Sequence, residues 1–151
     1  MGDVKPLMAG KRGLIMGVGN NRSLAWGIAK AVHEHGAELA FTYQGEALGK
    51  RVKPLAESIG SDFCLDCDVT DAPSLDRVFA AIADRWQRLD FLVHAIAFSD
   101  AEQLKGLGVV TDAVGVHVAK AVRLAHRLLI TRSFVVVGLL MRVQNVGMTM
   151  S

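Results

Sequence analysis

The feature that most constrains this chain is an alternation. Short β-branched or apolar runs are separated by helical patterns of about ten to fifteen residues, the sequence form of βαβ units. Two strands joined through a helix cannot close as a hairpin, so they pair in parallel and need a covered face on both sides. Strands are expected at 12–17, 37–43, 62–68 and 91–97, and helices at 23–35, 46–59 and from Asp71 to about Trp86. Gly36 and Gly60 stand as helix stops. In the first helix Leu24, Ile28, Ala31 and Val32 share one side. In the third, Leu75, Val78, Phe79 and Ile82 recur at helical spacing. Pro54 falls inside the second and is expected to kink or divide it. Right-handed crossovers then give an α/β Rossmann-like, doubly wound parallel sheet with helices on both faces, its first strand central, and a ligand crevice at the strand carboxyl ends.

At 151 residues there is room for one compact domain, burying roughly 68–70% of the surface the unfolded chain exposes. A hydrophobic fraction of 51% suits a sheet covered on both faces. The formal charge of +2 is too small to point to nucleic acid or a membrane surface. Lys11 and Arg12 interrupt any apolar leader, and Pro6 stands where a myristoylation signal needs Ser or Thr, so a cytoplasmic location is the expectation. The longest apolar stretch, around Phe134 to Met141, is far short of the roughly 20 residues a bilayer requires.

The first expected strand runs into Gly17-Val18-Gly19-Asn20-Asn21-Arg22-Ser23. Glycine permits a tight turn and close backbone approach, while the amides and dipole of a following helix favour a phosphate. Arg22 occupies the third glycine position of the usual phosphate-turn spacing, so the bare pattern is loose. Ser23 reads as a helix N-cap, as a phosphate contact, or as both. Asp68 reads as an acceptor for an adenine amino group or as a helix-capping or turn aspartate ahead of Thr70 and Asp71. At the end of the second strand Gln44 stands where many NAD sites carry an acidic residue for the ribose hydroxyls, and its amide can make that bond. Lys50 and Arg51 lie a little further on, as candidates for a 2′-phosphate or as solvated charges.

Cys64 and Cys67 have redox-motif spacing, but on a strand positions three apart face opposite ways, so two reduced thiols in or beside the core are expected. His33 and His35 sit where an imidazole meets a helix C-terminus. His94 reads as a core histidine. No residue is assigned to a metal.

Four motifs occur in order at the expected strand ends. They are Gly17 to Gly27 with its Asn20, Ser23 and Ala25-Trp26-Gly27, then Ala37 to Gln44, Cys67-Asp68-Val69, and Phe91 to Ser99. Together they resemble the bacterial NADH-dependent enoyl-acyl-carrier-protein reductases, from about Met8 to Gly106. The resemblance implies that Gly17, Ser23 and Leu24 meet the pyrophosphate region of NADH. It places Gln44 near the adenosine ribose, Asp68 and Val69 around the adenine, and Ile96 near the nicotinamide half. It also implies an acyl-carrier-protein thioester as substrate, fatty-acid synthesis as the setting and a homotetramer as the assembly. A 3-oxoacyl reductase fits less well, since His94-Ala95-Ile96-Ala97 stands where those carry Asn-Ala-Gly.

The same resemblance implies a catalytic pattern of two tyrosines with a lysine beyond the second. This sequence has one tyrosine, Tyr43, on the second strand, so no catalytic residue is assigned. Residues 1–112 are read as the dinucleotide-binding half. Residues 113–151 contain no acidic residue, whereas Lys120, Arg123, Arg127, Arg132 and Arg142 all lie there. That tail is read either as a divergent end or as a shifted frame, with a helix from Asp112 to Leu129 and a strand from Ser133 to Leu139. A truncated fold with an edge strand this apolar is expected to associate or depend on partners, and a non-catalytic NADH-binding module is the alternative to a reductase.

Overall fold

The computed structural model describes residues 6–96 and the strand at 135–138. Strands β1 (Arg12–Met16), β2 (Glu38–Tyr43), β3 (Cys64–Asp66), β4 (Phe91–His94) and β5 (Val135–Gly138) alternate with helices α1 (Leu24–Glu34), α2 (Gly45–Ser58) and α3 (Ala72–Trp86) up to β4. The sheet order is β3-β2-β1-β4-β5, and every neighbouring pair is parallel. The expected Rossmann-like sheet is therefore present, with β1 at its centre. The strand anticipated at 133–139 is β5, which pairs with β4 from Phe91↔Val135 to His94↔Gly138. The helix expected at 112–129 lies outside the described residues.

Period-two alternation sorts the strand side chains into two cores. Leu14 and Met16 of β1, Ala40 of β2 and Leu92 of β4 face α3, meeting Leu75, Val78, Phe79 and Ile82. Ile15, Leu39, Phe41, Phe91 and Val93 face the other way, with Ala25, Trp26 and Ala29 of α1 and Val52 and Ala56 of α2. Leu14, Ile15 and Met16 are all at 0% exposure, as a central strand buried on both faces requires.

Three sequence expectations shift in detail. α1 turns Ala25, Trp26 and Ala29 to the core, while Leu24 is 50% exposed. Leu24 is the first helical residue and lies past the end of β1, where the sheet offers it little to pack on. α2 runs through Pro54 as one helix. The proline is exposed, and Val52 and Ala56 on either side of it are fully buried. That burial holds both halves to the sheet against a proline cost of about 3 kcal/mol. β3 shortens to three residues, although Phe63 O and Cys67 N still bond β2, each at 2.8 Å.

Gly13 in β1 decides how closely β4 packs. A Cβ there would fall 2.1 Å from Cζ of Phe91, so the ring lies where any other residue would place a side chain. Gly13→Ala is expected to cost roughly 1–3 kcal/mol by overpacking. Much of that should return in the double variant with Phe91→Leu, read as a non-additive shift of the urea midpoint.

Candidate dinucleotide site

In an all-parallel sheet the strand carboxyl ends share one end of the molecule. Across that end, in sheet order, lie Asp68 and Val69 after β3, Gln44 after β2, the Gly17–Ser23 turn after β1, and Ile96 after β4. β1 leaves through α1 toward β2, whereas β3 returns through α3 to β4 on the other side of β1. The strand order reverses between β1 and β4, the position where a crevice opens in such sheets.

Gly17 lines that point. Its φ is +104°, and a Cβ would stand 2.4 Å from Ala95 O and 3.0 Å from Ile96 N. Both the backbone angle and the approach of the segment after β4 demand glycine. Gly19 has nothing within 4 Å of a notional Cβ, so it borders open space. Between them and the helix, Asn20 folds the turn. Its Oδ1 accepts from Arg22 N at 2.8 Å, and its carbonyl accepts from Ser23 N at 3.2 Å and Ser23 Oγ at 2.8 Å.

Ser23 stands at the N-cap of α1, but its side chain makes no capping bond. The hydroxyl is turned back into the turn, and the first helical bond is Gly27 N to Ser23 O, 3.1 Å. The amides of the first turn therefore point outward uncapped, with no acidic residue in that turn. Such a terminus attracts an anion. By contrast α3 is closed by its own N-cap, Asp71, whose Oδ2 accepts from Ser74 N at 3.1 Å.

Asp68 makes the turn anticipated as its alternative role. Its Oδ1 accepts from Thr70 N at 2.8 Å and Thr70 Oγ1 at 2.6 Å, and its own N–H donates to Ser74 Oγ at 3.0 Å. Asp71, not Asp68, caps the helix. Val69 is buried and Asp68 half-buried, while Gln44 is exposed at the N-cap of α2. Ile96 is half-buried against the α3-side core. The structure thus brings Gly17, Ser23, Leu24, Gln44, Asp68, Val69 and Ile96 to one end of one sheet.

Sequence reasoning assigned no role to Asn20 or Asp66. Asn two residues ahead of the amide it accepts from is a readable turn signal. Asp66 is a tertiary partner: its Oδ1 accepts from Gly45 N at 3.0 Å, a bond that depends on the pairing of Tyr43 with Asp66. Lys50 is held by Glu46 Oε1 at 2.8 Å, one turn away.

The remaining candidates take quieter roles. His35 Nδ1 lies 2.7 Å from Ala31 O and donates to it. His94 is 3% exposed in β4. A cleft of about 250 Å³ lined by His33, Glu38, Ser61, Asp62, Arg85 and Trp86 lies at the opposite, amino end of β2 and β3. Among the described residues no His, Cys, Asp and Glu cluster could hold a metal ion, and no helix is long and apolar enough to cross a membrane.

Cys64 and Cys67 are free thiols that join opposite cores. Burial raises both, Cys67 to about 11 against a Ser74 hydrogen bond that lowers it. Cys67 is expected to alkylate at pH 8 far more slowly in the folded chain than after unfolding in urea. A raised thiol leaves stability whole below pH 9, its unfolded value, and erodes it as pH climbs toward 11. Cys67→Ala should flatten that alkaline decline in urea titrations.

Known proteins are similar to this chain in sequence and fold. A family described as Enoyl-(Acyl carrier protein) reductase matches residues 17–142. Enoyl-[acyl-carrier-protein] reductase [NADH] 2 of Rhizobium meliloti is 68% identical over 101 residues, 67% of this chain and 38% of that protein. Among solved structures, FabI from Candidatus Liberibacter asiaticus is 48% identical with a TM-score of 0.70, covering 80% of this chain and 50% of that one. An enoyl-(acyl-carrier-protein) reductase from Anaplasma phagocytophilum, solved in complex with NAD, is 44% identical with a TM-score of 0.73 over 85% of this chain and 54% of its own. The chain spans about two fifths of the length of the curated relatives it matches.

Proposed function

Because this chain belongs to the enoyl-(acyl carrier protein) reductase family, we propose that its sheet end binds NADH and that the activity such a site serves is NADH-dependent reduction of an enoyl thioester carried on acyl carrier protein. The observation that carries the reading is the uncapped N-terminus of α1 behind the Gly17–Ser23 turn, at the reversal of strand order. The residues present fit a dinucleotide. First-turn amides with no carboxylate beside them suit the pyrophosphate, and the open space at Gly19 admits it to the backbone. Gln44 offers amide hydrogen bonds to the adenosine ribose. Val69 and the half-buried Asp68 suit one face and the amino edge of adenine, exposed Leu24 flanks the pyrophosphate at the start of α1, and half-buried Ile96 supplies an apolar wall toward the nicotinamide.

NADH, when bound, supplies the hydride. Charge then develops on the thioester oxygen, and a positioned donor there lowers the barrier. Tyr43, the sole tyrosine, does not serve. From the end of β2 it pairs with Asp66 of β3, Lys53 Nζ lies 5.3 Å from its ring centre, and Gly49 of α2 makes room for it. This 151-residue chain therefore reads as the cofactor half of a reductase that binds without turnover. A cytoplasmic setting and a homotetramer of the whole enzyme belong to the same proposal.

NADH is expected to bind saturably, read by quenching of Trp26 and Trp86 fluorescence. Ser23→Arg, which fills the half-buried turn, should weaken it about tenfold to a hundredfold, the worth of one or two bonds to a charged group. No nicotinamide absorbance should be lost with a crotonyl thioester. Steady oxidation of NADH would refute the claim that no donor is present, and absence of binding would refute the site.

A further inference from the structure

Of the three helix N-termini at this end, those of α1 and α2 differ in charge, and the difference bears on which nucleotide they admit. That of α1 has no acidic residue in its first turn, and Arg22 precedes it. That of α2 carries two carboxylates. Asp66, reaching from β3, accepts the amide of Gly45, the first helical residue, at 3.0 Å. Glu46 sits in the first turn and holds Lys50 at 2.8 Å. Lys53 is engaged over the Tyr43 ring at 5.3 Å. Gln44, adjacent to Gly45, is the residue aligned with the adenosine ribose under the proposed function, on which this inference rests.

NADPH differs from NADH by a 2′-phosphate on that ribose, and a nearby arginine commonly accommodates it in such sheets. Here the Gly45 amide beside Gln44 is already bonded to a carboxylate, Lys50 and Lys53 are engaged with Glu46 and Tyr43, and Arg51, the other cation the sequence offers there, stands in the second turn of α2. We infer that Asp66 is a specificity-determining residue of the site, an internal anion that occupies the Gly45 amide and repels the 2′-phosphate, so that NADH is selected over NADPH. The discrimination is made by repulsion of the competitor, beside whatever bond Gln44 makes to the ribose.

Asp66→Asn isolates the charge, since its amide oxygen still accepts from Gly45 N. The side chain is exposed, so the substitution leaves both cores intact. NADH and NADPH are titrated by tryptophan quenching against the full chain, the Asp66→Asn variant, and an Asp84→Asn control on the far end of α3. NADH affinity should stay within about twofold, while NADPH tightens roughly fivefold to tenfold, the size of one screened charge pair at close range. The gain should shrink at high salt. An unchanged NADPH-to-NADH ratio in Asp66→Asn, or an equal change in Asp84→Asn, overturns the inference while leaving NADH binding in place. Failure of the parent chain to bind either nucleotide overturns the proposed function and this inference with it.

Discussion

Parallel pairing of β1 with both β2 and β4 governs the rest of this molecule. Neither partner can be reached by a tight turn, so each connection must cross a face of the sheet as a helix. Once α1 and α2 cover one face and α3 the other, β1 has no solvent side, and its residues 14–16 lose all exposure. The same crossovers leave β1 as the strand from which the chain departs in one direction and past which it returns in the other. A crevice at the end of β1 is thus a consequence of topology before any side chain is chosen. Glycine at 17 follows from how closely the segment after β4 approaches there.

Helix ends show where structure stops being self-sufficient. α3 solves its own terminus, with Asp71 bonded to Ser74 N and Gln87 in the left-handed region at φ 58°. α2 borrows an acceptor from another strand. α1 has neither arrangement, because Ser23 spends its hydroxyl on Asn20. A capping serine normally contributes about 1 kcal/mol, so turning it away from the helix forgoes stability. That loss is intelligible if the first-turn amides are reserved for an anion. Asn20 links the two halves of the device, fixing the turn and occupying the serine.

The alternation of periods made the sheet, its order and the central place of β1 legible, because each strand face and helix face had to be apolar for the fold to close. The glycine turn was legible through position and chemistry together, even with Arg22 in place of a third glycine. Less legible were features that depend on distance in sequence. Nothing near Asp66 announces Gly45 as its partner, since the two meet only after β2 and β3 pair in register. Continuation of α2 through Pro54 was hidden for a similar reason, as local propensity opposes it and burial of Val52 and Ala56 overrides it. The orientation of Ser23 was undecidable from sequence, because one hydroxyl can satisfy a helix amide or a carbonyl of the preceding turn.

The spread of the candidate residues across the sheet implies a division of labour. Asp68, Val69 and Gln44 lie on the β2–β3 side, away from where a nicotinamide would react, while Ile96 lies on the β4 side. Groups on the first side would hold ground state and transition state alike and set affinity. Only groups near the second act on the barrier. Gly17 joins the sides, since its backbone packs against Ala95 and Ile96 while its turn leads into α1. A side chain at 17 would push the segment after β4 away from the phosphate turn and change the distance between the two halves of the bound cofactor. In the proposed complex the close approach at Gly17 would therefore be more than a packing requirement, because it would set where the reactive end of the cofactor stands relative to the part of the protein that does the chemistry.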